Sequence, residues 1–352
     1  THGVRELGDT IAPTVPALAT LLGSRGFSTA AITTNINVRA ALGFERGFDK
    51  YRYLAETESR DGFYASADEV RVEAIDWLDT EAQRPFFLYL HLSEPHAPYA
   101  PSAEAARQFV RGVPSASIGA AADPLARLAD GPTAGRAADL AWVRSLYDAE
   151  VATLDRILGQ LRQDLEARGL WETTLVVLTS DHGEAFGEHG FAGHGYSVFA
   201  EEVQVPLIFR WGGAPGKGQR AVGLARQIDI LPTILDLLGG PPPAGVDGVS
   251  LVEKRPSEAF TETRLHRLDQ SGLILNGFKV VVTQGRLSGS AVSVYDLDKD
   301  PGETTDVAPV HPAMAGWATQ EFRRREDAAP QTDQVVAAPL IGARLKMLGY
   351  LE

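Results

Sequence analysis

Residues 173–195 read TTLVVLTSDHGEAFGEHGFAGHG and join a continuous apolar run to a loop rich in glycine and histidine. The run Thr173–Thr179 is β-branched and apolar without alternation, which is typical of a strand buried on both faces of a parallel sheet. Asp181 and His182 follow at once, so both side chains leave the carboxyl end of this strand together. Ligands of parallel α/β sheets bind at such ends, and the sequence therefore predicts a site here.

Asp181 and His182 are predicted to bind one divalent metal ion. A carboxylate and an imidazole on a tight turn can both reach the same ion, and Gly183 lets the backbone approach it. The alternative is that Asp181 caps a following helix while the histidines face solvent. The buried strand before the pair and His194 after it favour the metal-binding interpretation.

A second candidate follows another strand-like run, Phe86–Leu92. His96 comes just after this run, between two prolines whose fixed φ angles would hold the direction of the imidazole. A loop histidine packed on Tyr99 is an equally good interpretation of the local sequence. His91 lies inside the run and is predicted to be a hydrogen-bonded core histidine.

Strand-like and helix-like segments alternate over the first two thirds of the chain. This pattern predicts an α/β fold with a large, mostly parallel or mixed sheet and helices on both faces. Helices are expected at Pro13–Arg25, Ala67–Glu81, Ala137–Arg168 and Ile228–Leu238, and further strands at Phe27–Thr33 and Val205–Arg210. The stretch Gly112–Gly135 is rich in Ala, Pro, Ser and Gly and is predicted to be a surface excursion or a mobile loop.

Two domains are predicted, a core of residues 1–254 and a small C-terminal α+β domain of residues 255–352. The second domain is expected to contain short strands followed by one or two terminal helices. The strand-like pieces are Glu258–Thr261, Gly272–Leu275, Lys279–Val282 and Val292–Tyr295.

Composition excludes several classes of protein. The 352 residues contain no cysteine, which rules out disulfides, thiolate zinc sites and a cysteine nucleophile within them. The formal net charge is −13 and no block of Lys or Arg occurs, which argues against nucleic acid as a partner. No apolar run approaches the about 20 residues of a membrane span. The compartment stays open, and a periplasmic or secreted location would fit if an N-terminal leader had been removed.

Several segments spread over almost the whole chain occur in an order that one known family shares. They are TSDHGEAFGEHGFAGHGYSVFAEEVQVPLIF (179–209), Phe86–Tyr99 with its PHAPY, YDAEVATLD (147–155), DILPTIL (229–235), GVDGVSL (245–251) and YDLDKDPGE (295–303). Together they resemble the sulfatase family of the alkaline phosphatase superfamily. The shared order is far more specific than any single motif.

The resemblance implies a metal-dependent hydrolase of sulfate esters, acting on a small-molecule or glycan sulfate or phosphate ester. On this basis Asp181 and His182 are the second pair of ligands of one divalent ion, Ca²⁺, Mn²⁺ or Zn²⁺. His96 corresponds to the histidine that contacts the anionic group or leaving oxygen of the ester, and His194 to a residue that binds the transferred group. Imidazole suits softer ions than Ca²⁺, so His182 favours Mn²⁺ or Zn²⁺. Glu184 would orient His182 or the metal, or have a structural role.

The chain departs from the family pattern at its N-terminus. The family's adjacent aspartate ligands, and its nucleophile in a C/S-x-P-x-R-like segment, would precede Thr1-His2-Gly3-Val4, and neither is found in this sequence. We therefore expect these residues alone to be inactive and to bind metal weakly. The family's first strand would also be missing, so a central sheet edge is expected to stay unpaired and the isolated chain to be poorly soluble.

Two other kinds of function are compatible with the sequence. A phosphodiester or phosphonate monoester hydrolase of the same superfamily would use the same residues. A non-catalytic anion-binding relative, or a fragment that needs a separately supplied N-terminal piece, would keep the fold and lose the chemistry.

Overall fold

The structure is a computed structural model of the chain and describes residues 10–54, 65–212, 218–252, 254–264, 268–285 and 289–327. Thr1-His2-Gly3-Val4 lies outside these ranges. The first part contains α1 (Leu18–Gly23), β1 (Ser28–Thr33), β2 (Lys50–Tyr53), α2 (Ala67–Thr80), β3 (Phe86–Leu90), α3 (Ala103–Phe109), α4 (Ala116–Gly119), α5 (Pro124–Ala129), α6 (Ala137–Ala167), β4 (Val176–Thr179), β5 (Ala185–Phe186), β6 (Ala192–Gly193), α7 (Ala200–Val203), β7 (Leu207–Arg210) and α8 (Ile230–Leu237). The predicted α/β fold class is confirmed.

A parallel sheet of three strands organises the N-terminal part, in the order β2-β1-β3. The central strand is β1, and its residues Thr29–Thr33 are all buried, as a strand covered on both faces requires. α1 and α2 both contact β1. Ile32 of β1 forms one apolar cluster with Val70 and Ala74 of α2, so the amphipathic face of α2 covers the sheet.

β4 and β7 form a separate antiparallel pair rather than part of one large sheet. Within the described residues, β3 pairs only with β1, and β4 only with β7. The loops that follow the carboxyl ends of β3 and β4 nevertheless lie close together. His96 follows β3 and His182 follows β4, and the centroids of their rings are 6.4 Å apart. Poor solubility of the isolated chain stays a prediction.

The longest helix of the described residues is α6, with 31 residues. It matches the predicted Ala137–Arg168 to within one residue, and Gly169 follows it with a φ of 65°. Its apolar stripe is buried, and the buried apolar members are Leu140, Val143, Ala149, Ile157 and Leu165. No helix in the described ranges combines the length and the apolar character needed to cross a membrane.

The segment Gly112–Gly135, predicted to be a surface excursion or a mobile loop, does lie mostly at the surface, but it is not an irregular loop. This segment contains α4 and α5, and the carboxylate of Asp123 caps α5 by accepting a hydrogen bond from the Ala126 amide at 3.0 Å. Three of its side chains join one buried cluster, whose members are Ala97, Ile118, Leu125, Leu128, Leu140, Val143 and Ala192. Helices of four and six residues are too short to show a helical period, which is why the sequence pattern missed them.

An antiparallel sheet forms the C-terminal part. It comprises β8 (Glu258–Thr263), β9 (Leu268–Leu275), β10 (Phe278–Gly285) and β11 (Gly289–Asp296), in the order β11-β10-β9-β8, followed by α9 (Pro312–Asp327). Side chains alternate along β10, so Val280 and Val282 pack with Phe322 of α9, whereas Val281 packs with Phe199 of the first part. The predicted boundary between residues 254 and 255 stays a prediction, and residues after 327 lie outside the described ranges.

Replacing Leu128 by alanine tests whether the segment with α4 and α5 is packed. Leu128 is fully buried, so Leu128→Ala is expected to lower the free energy of unfolding by about 2–5 kcal/mol through lost burial and a residual cavity. Val113 lies in the same segment but is 86% exposed, so Val113→Ala should change it by no more than about 0.5 kcal/mol. Denaturant unfolding measures both. If both substitutions changed the free energy of unfolding by the same small amount, the segment would not be packed against the core.

Candidate functional site

The turn after β4 is held by backbone contacts that only glycine permits. The Gly183 amide donates to the Glu202 carbonyl at 2.7 Å, and a Cβ at position 183 would collide with the Glu201 carbonyl oxygen. The side-chain amide of Gln227 donates to the carbonyls of Ser180 and Asp181 at 2.8 and 2.9 Å. The turn is therefore fixed from two directions, by the chain before β7 and by the chain before α8.

Asp181 and His182 point to the same place. Nδ1 of His182 lies 2.8 Å from the Gly183 carbonyl and must donate to it, so Nε2 carries the lone pair. This Nε2 lies 3.9 Å from Oδ2 of Asp181. Metal–ligand bonds are roughly 2.0–2.6 Å long, so one ion between these two atoms can bind both.

The pair fits a metal ion as part of a ligand set. Within the described ranges, no group of three or more His, Cys, Asp or Glu side chains is arranged to hold a metal ion. Asp181 and His182 would therefore supply two ligands, and the remaining coordination positions would be filled by other groups.

Three predicted histidines form one group, the histidine cluster of His96, His182 and His194. The rings of His182 and His194 stack with centroids 3.9 Å apart and an interplanar angle of 24°. His96 lies 5.1 Å from His194 and 6.4 Å from His182 by the same measure. The structure thus brings all four predicted site residues together, from loops that follow β3 and β4.

His96 is held as a neutral imidazole. Its amide donates to the Ser93 carbonyl at 2.7 Å, and its Nδ1 faces the carbonyl of Ala97 and must donate to it. Burial, and after it the neighbouring charge of His194, lower the pKa of His96 to about 4. Nε2 of His96 is consequently a proton acceptor at neutral pH.

His194 has the opposite electrostatic setting. Its Nδ1 lies 2.8 Å from Oε1 of Glu184, whose side chain is 4% exposed. Burial alone would lower the pKa of His194, but the hydrogen bond and the charge of Glu184 outweigh it and raise the pKa. The Tyr99 hydroxyl donates to the other Glu184 oxygen at 3.2 Å. Glu184 therefore contacts His194, and not His182 as the sequence analysis considered.

His91 behaves as predicted for a core histidine. The Thr34 hydroxyl donates to the His91 carbonyl at 3.2 Å and lies 3.5 Å from its Nδ1. Burial lowers the pKa of His91, which keeps the ring neutral.

Sequence reasoning missed Gln227 and Glu202. The Glu202 carboxylate is buried and accepts hydrogen bonds from the Gly195 amide at 2.6 Å, the Tyr196 amide at 3.2 Å and the Ser197 hydroxyl at 2.6 Å. Burial raises the pKa of Glu202, and the hydrogen bonds offset part of that effect. Nothing near Glu202 or Gln227 in sequence signals these roles, because their partners lie on other turns.

Comparison with known proteins gives a family match. The Sulfatase family model matches residues 2–240, more than half of the chain. The multifunctional alkaline phosphatase superfamily protein PehA of Trinickia caryophylli is 32% identical over 217 residues, 54% of this chain and 42% of its own. Arylsulfatase K of Canis lupus familiaris is 28% identical over 196 residues, 51% of this chain and 36% of its own. The chain thus spans less than half the length of either relative.

Solved structures share the fold. The phosphonate monoester hydrolase of Agrobacterium radiobacter has a TM-score of 0.72 at 23% identity, covering 93% of this chain and 83% of its own. A protein solved with its substrate D-glucosamine-2-N,6-O-disulfate has a TM-score of 0.71 at 19% identity, covering 94% and 86%. The family match over more than half of the chain shows that the chain belongs to the sulfatase family of the alkaline phosphatase superfamily.

Proposed function

We propose that the protein to which this chain belongs is a metal-dependent hydrolase of sulfate esters. The observation that carries the proposal is the grouping of the Asp181–His182 donor pair with two further imidazoles, His96 and His194, around one point. Membership of the sulfatase family and the likeness to arylsulfatase K support this substrate class.

Asp181 and His182 would hold the metal ion. A divalent ion bound there supplies Lewis-acid stabilisation of charge on the ester oxygens and lowers the pKa of a coordinated hydroxyl group. The protein's own contribution is to fix the two donor atoms, through the glycine turn and the Gln227 amide.

His194 would bind the group that is transferred. Its carboxylate partner Glu184 favours the cationic imidazole, and a cationic imidazole donates strong hydrogen bonds to the oxygens of a sulfuryl or phosphoryl group. A cationic His194 would carry its charge before the substrate arrives, so little reorganisation would be needed as charge develops in the transition state.

His96 would accept a proton. The resemblance assigns the corresponding histidine to the anionic group or the leaving oxygen of the ester, and either contact requires a donor. The contact between Nδ1 and the Ala97 carbonyl makes Nε2 an acceptor, which suits the removal of a proton from water during hydrolysis. In a direct hydrolysis the imidazolium could then give this proton to the departing oxygen, whereas in a covalent route the proton for the departing oxygen would come from the attacking hydroxyl.

The attacking group is a separate proposal. The chain contains no cysteine, so a nucleophile matured from cysteine would come from residues outside these 352. Such a nucleophile would complete the covalent route that the resemblance implies.

Hydrolysis of phosphodiesters or phosphonate monoesters is the second candidate. It is favoured by the 32% identity to PehA, a protein described as multifunctional, and by the fold shared with a phosphonate monoester hydrolase. Both candidates use the same four residues, so substrate kinetics must separate them.

Turnover of matched substrates by the full-length protein tests the main proposal. We expect kcat/KM for 4-nitrophenyl sulfate to exceed that for bis(4-nitrophenyl) phosphate and 4-nitrophenyl phenylphosphonate by about tenfold or more. Faster turnover of either phosphorus ester would favour the second candidate. No turnover of any ester with Mn²⁺, Zn²⁺ or Ca²⁺ present would favour a non-catalytic relative.

Removing the imidazole of His194 should affect chemistry more than metal binding. His194→Ala is expected to lower kcat about 100- to 1,000-fold, because a donor to the developing charge is lost. The control is His311→Ala, since His311 packs on Phe278 in the C-terminal sheet. Steady-state kinetics and Mn²⁺ titration measure both effects. An unchanged kcat in His194→Ala would contradict the assigned role.

Gln227 should support the metal ligands without touching the metal. Gln227→Ala removes two hydrogen bonds to the turn that carries Asp181, and an effect of about 10- to 100-fold on Mn²⁺ affinity is expected. Gln108→Ala, on the exposed surface of α3, is the matched control. Calorimetric titration of both variants with Mn²⁺ measures the affinities, and equal Mn²⁺ affinities of the two variants would contradict the supporting role of Gln227.

A further inference from the structure

A buried ion pair connects the C-terminal sheet with the site region. Lys279 of β10 and Glu303 have side chains that are 1% and 2% exposed, and Nζ lies 2.6 Å from Oε1. Lys and Glu are almost never fully buried unless paired. A buried ion pair is weak evidence for stability, because apolar residues of similar volume often serve as well. A role other than stability is therefore worth seeking.

Two further hydrogen bonds of Glu303 go to the loop that carries the site. Its Oε2 accepts from the Ala200 amide at 2.8 Å, and its backbone carbonyl accepts from Nε2 of His189 at 3.0 Å. Nδ1 of His189 lies 2.8 Å from Oε1 of Glu201. The His189 ring stacks on Phe199 with centroids 3.7 Å apart and an interplanar angle of 5°. We call Lys279, Glu303, His189 and Glu201 the Lys279 network.

Charge supports these contacts. Burial alone would lower the pKa of His189, but the hydrogen bonds to Glu201 and Glu303 and the two carboxylates outweigh it and raise the pKa. Burial lowers the pKa of Lys279, and Glu303 offsets part of that effect. Each cation of the network therefore depends on a carboxylate for its charge.

The network holds strained backbone. Within the described ranges, only His189, Asn276 and Glu303 have positive φ angles without being glycine, at 50°, 52° and 56°. Two of these three, His189 and Glu303, are hydrogen-bonded to each other. Strain of this kind persists only where surrounding contacts impose it, and it concentrates at functional sites.

Glu202 follows Glu201 of the Lys279 network and links this network to the site. The Glu202 carbonyl accepts from the Gly183 amide, which follows His182. The Glu202 carboxylate accepts from the Gly195 amide, which follows His194. Both histidine-bearing turns are thus tied to the segment that Glu303 holds.

We infer that Glu303 and His189 are positioning residues, through which the C-terminal sheet sets the placement of His182 and His194. This inference rests on the proposed function, because it assigns the network to the same metal site. The network fixes the chain from Phe199 to Glu202, and that chain in turn fixes the two turns. Loosening the network should therefore weaken metal binding without unfolding the protein.

Two variants and one control test the inference in the full-length protein. Lys279→Met/Glu303→Met replaces the ion pair by unbranched apolar side chains and removes the acceptor for the Ala200 amide. His189→Asn removes the ring contacts, while asparagine tolerates the positive φ at this position. Lys299→Met is the control, because Lys299 forms an ion pair with Asp296 of β11 but its side chain is 83% exposed.

Hydrogen exchange of peptides covering residues 181–196 is the first readout. Both network variants are expected to exchange faster there than wild type and Lys299→Met, at an unchanged melting temperature. The second readout is Mn²⁺ affinity, expected to fall about tenfold or more in both variants. If both variants showed the exchange rates and the Mn²⁺ affinity of the wild type, the inference would be overturned. If the double variant does not fold, the same two measurements on His189→Asn decide. Exchange needs no metal, so a wild-type protein that bound no Mn²⁺ would contradict only the proposed function.

Discussion

The close backbone contact between Gly183 and the segment before β7 is the constraint on which the site depends. The Gly183 amide bonds to the Glu202 carbonyl at 2.7 Å, at a separation that leaves no room for a Cβ. Because β4 ends immediately before this turn, Asp181 and His182 cannot follow the strand direction and instead project side by side. A carboxylate oxygen and an imidazole nitrogen 3.9 Å apart are the direct result.

Buried charge is concentrated between this turn and the C-terminal sheet. Glu184, Glu202 and the Lys279–Glu303 pair are all buried, and burying ionisable groups is costly unless each is hydrogen-bonded. Here each one has a partner on the loop between β4 and β7 or at the sheet. The arrangement gives His96 and His194 different partners: Nδ1 of His96 faces the Ala97 carbonyl, whereas Nδ1 of His194 faces the Glu184 carboxylate. Two imidazoles whose pKa values are shifted in opposite directions then lie next to one proposed metal site.

The sequence predicts those parts of the structure whose pattern lies within one continuous stretch of residues. The stripe of α6 repeats over 31 residues and gives a strong local signal. The run before Asp181 correctly indicates a strand, but the prediction that it is buried on both faces of a parallel sheet is wrong, because β4 is only partly buried and pairs antiparallel with β7. Asp181, His182, His96 and His194 are predicted as site residues because they follow strand ends and match a family order, and the structure places them close together. Gln227 has its partners 46 and 47 residues away, and Glu303, which follows β11, pairs with Lys279 of β10, so no local pattern marks them.

Anomalous diffraction from crystals of the full-length protein grown with Mn²⁺ tests the central claim most directly. We predict one strong Mn²⁺ peak within about 2.6 Å of both a carboxylate oxygen of Asp181 and Nε2 of His182. The histidine cluster should lie beside that peak, with His194 still bonded to Glu184. A Mn²⁺ peak elsewhere, or Asp181 and His182 turned away from a common ion, would contradict it.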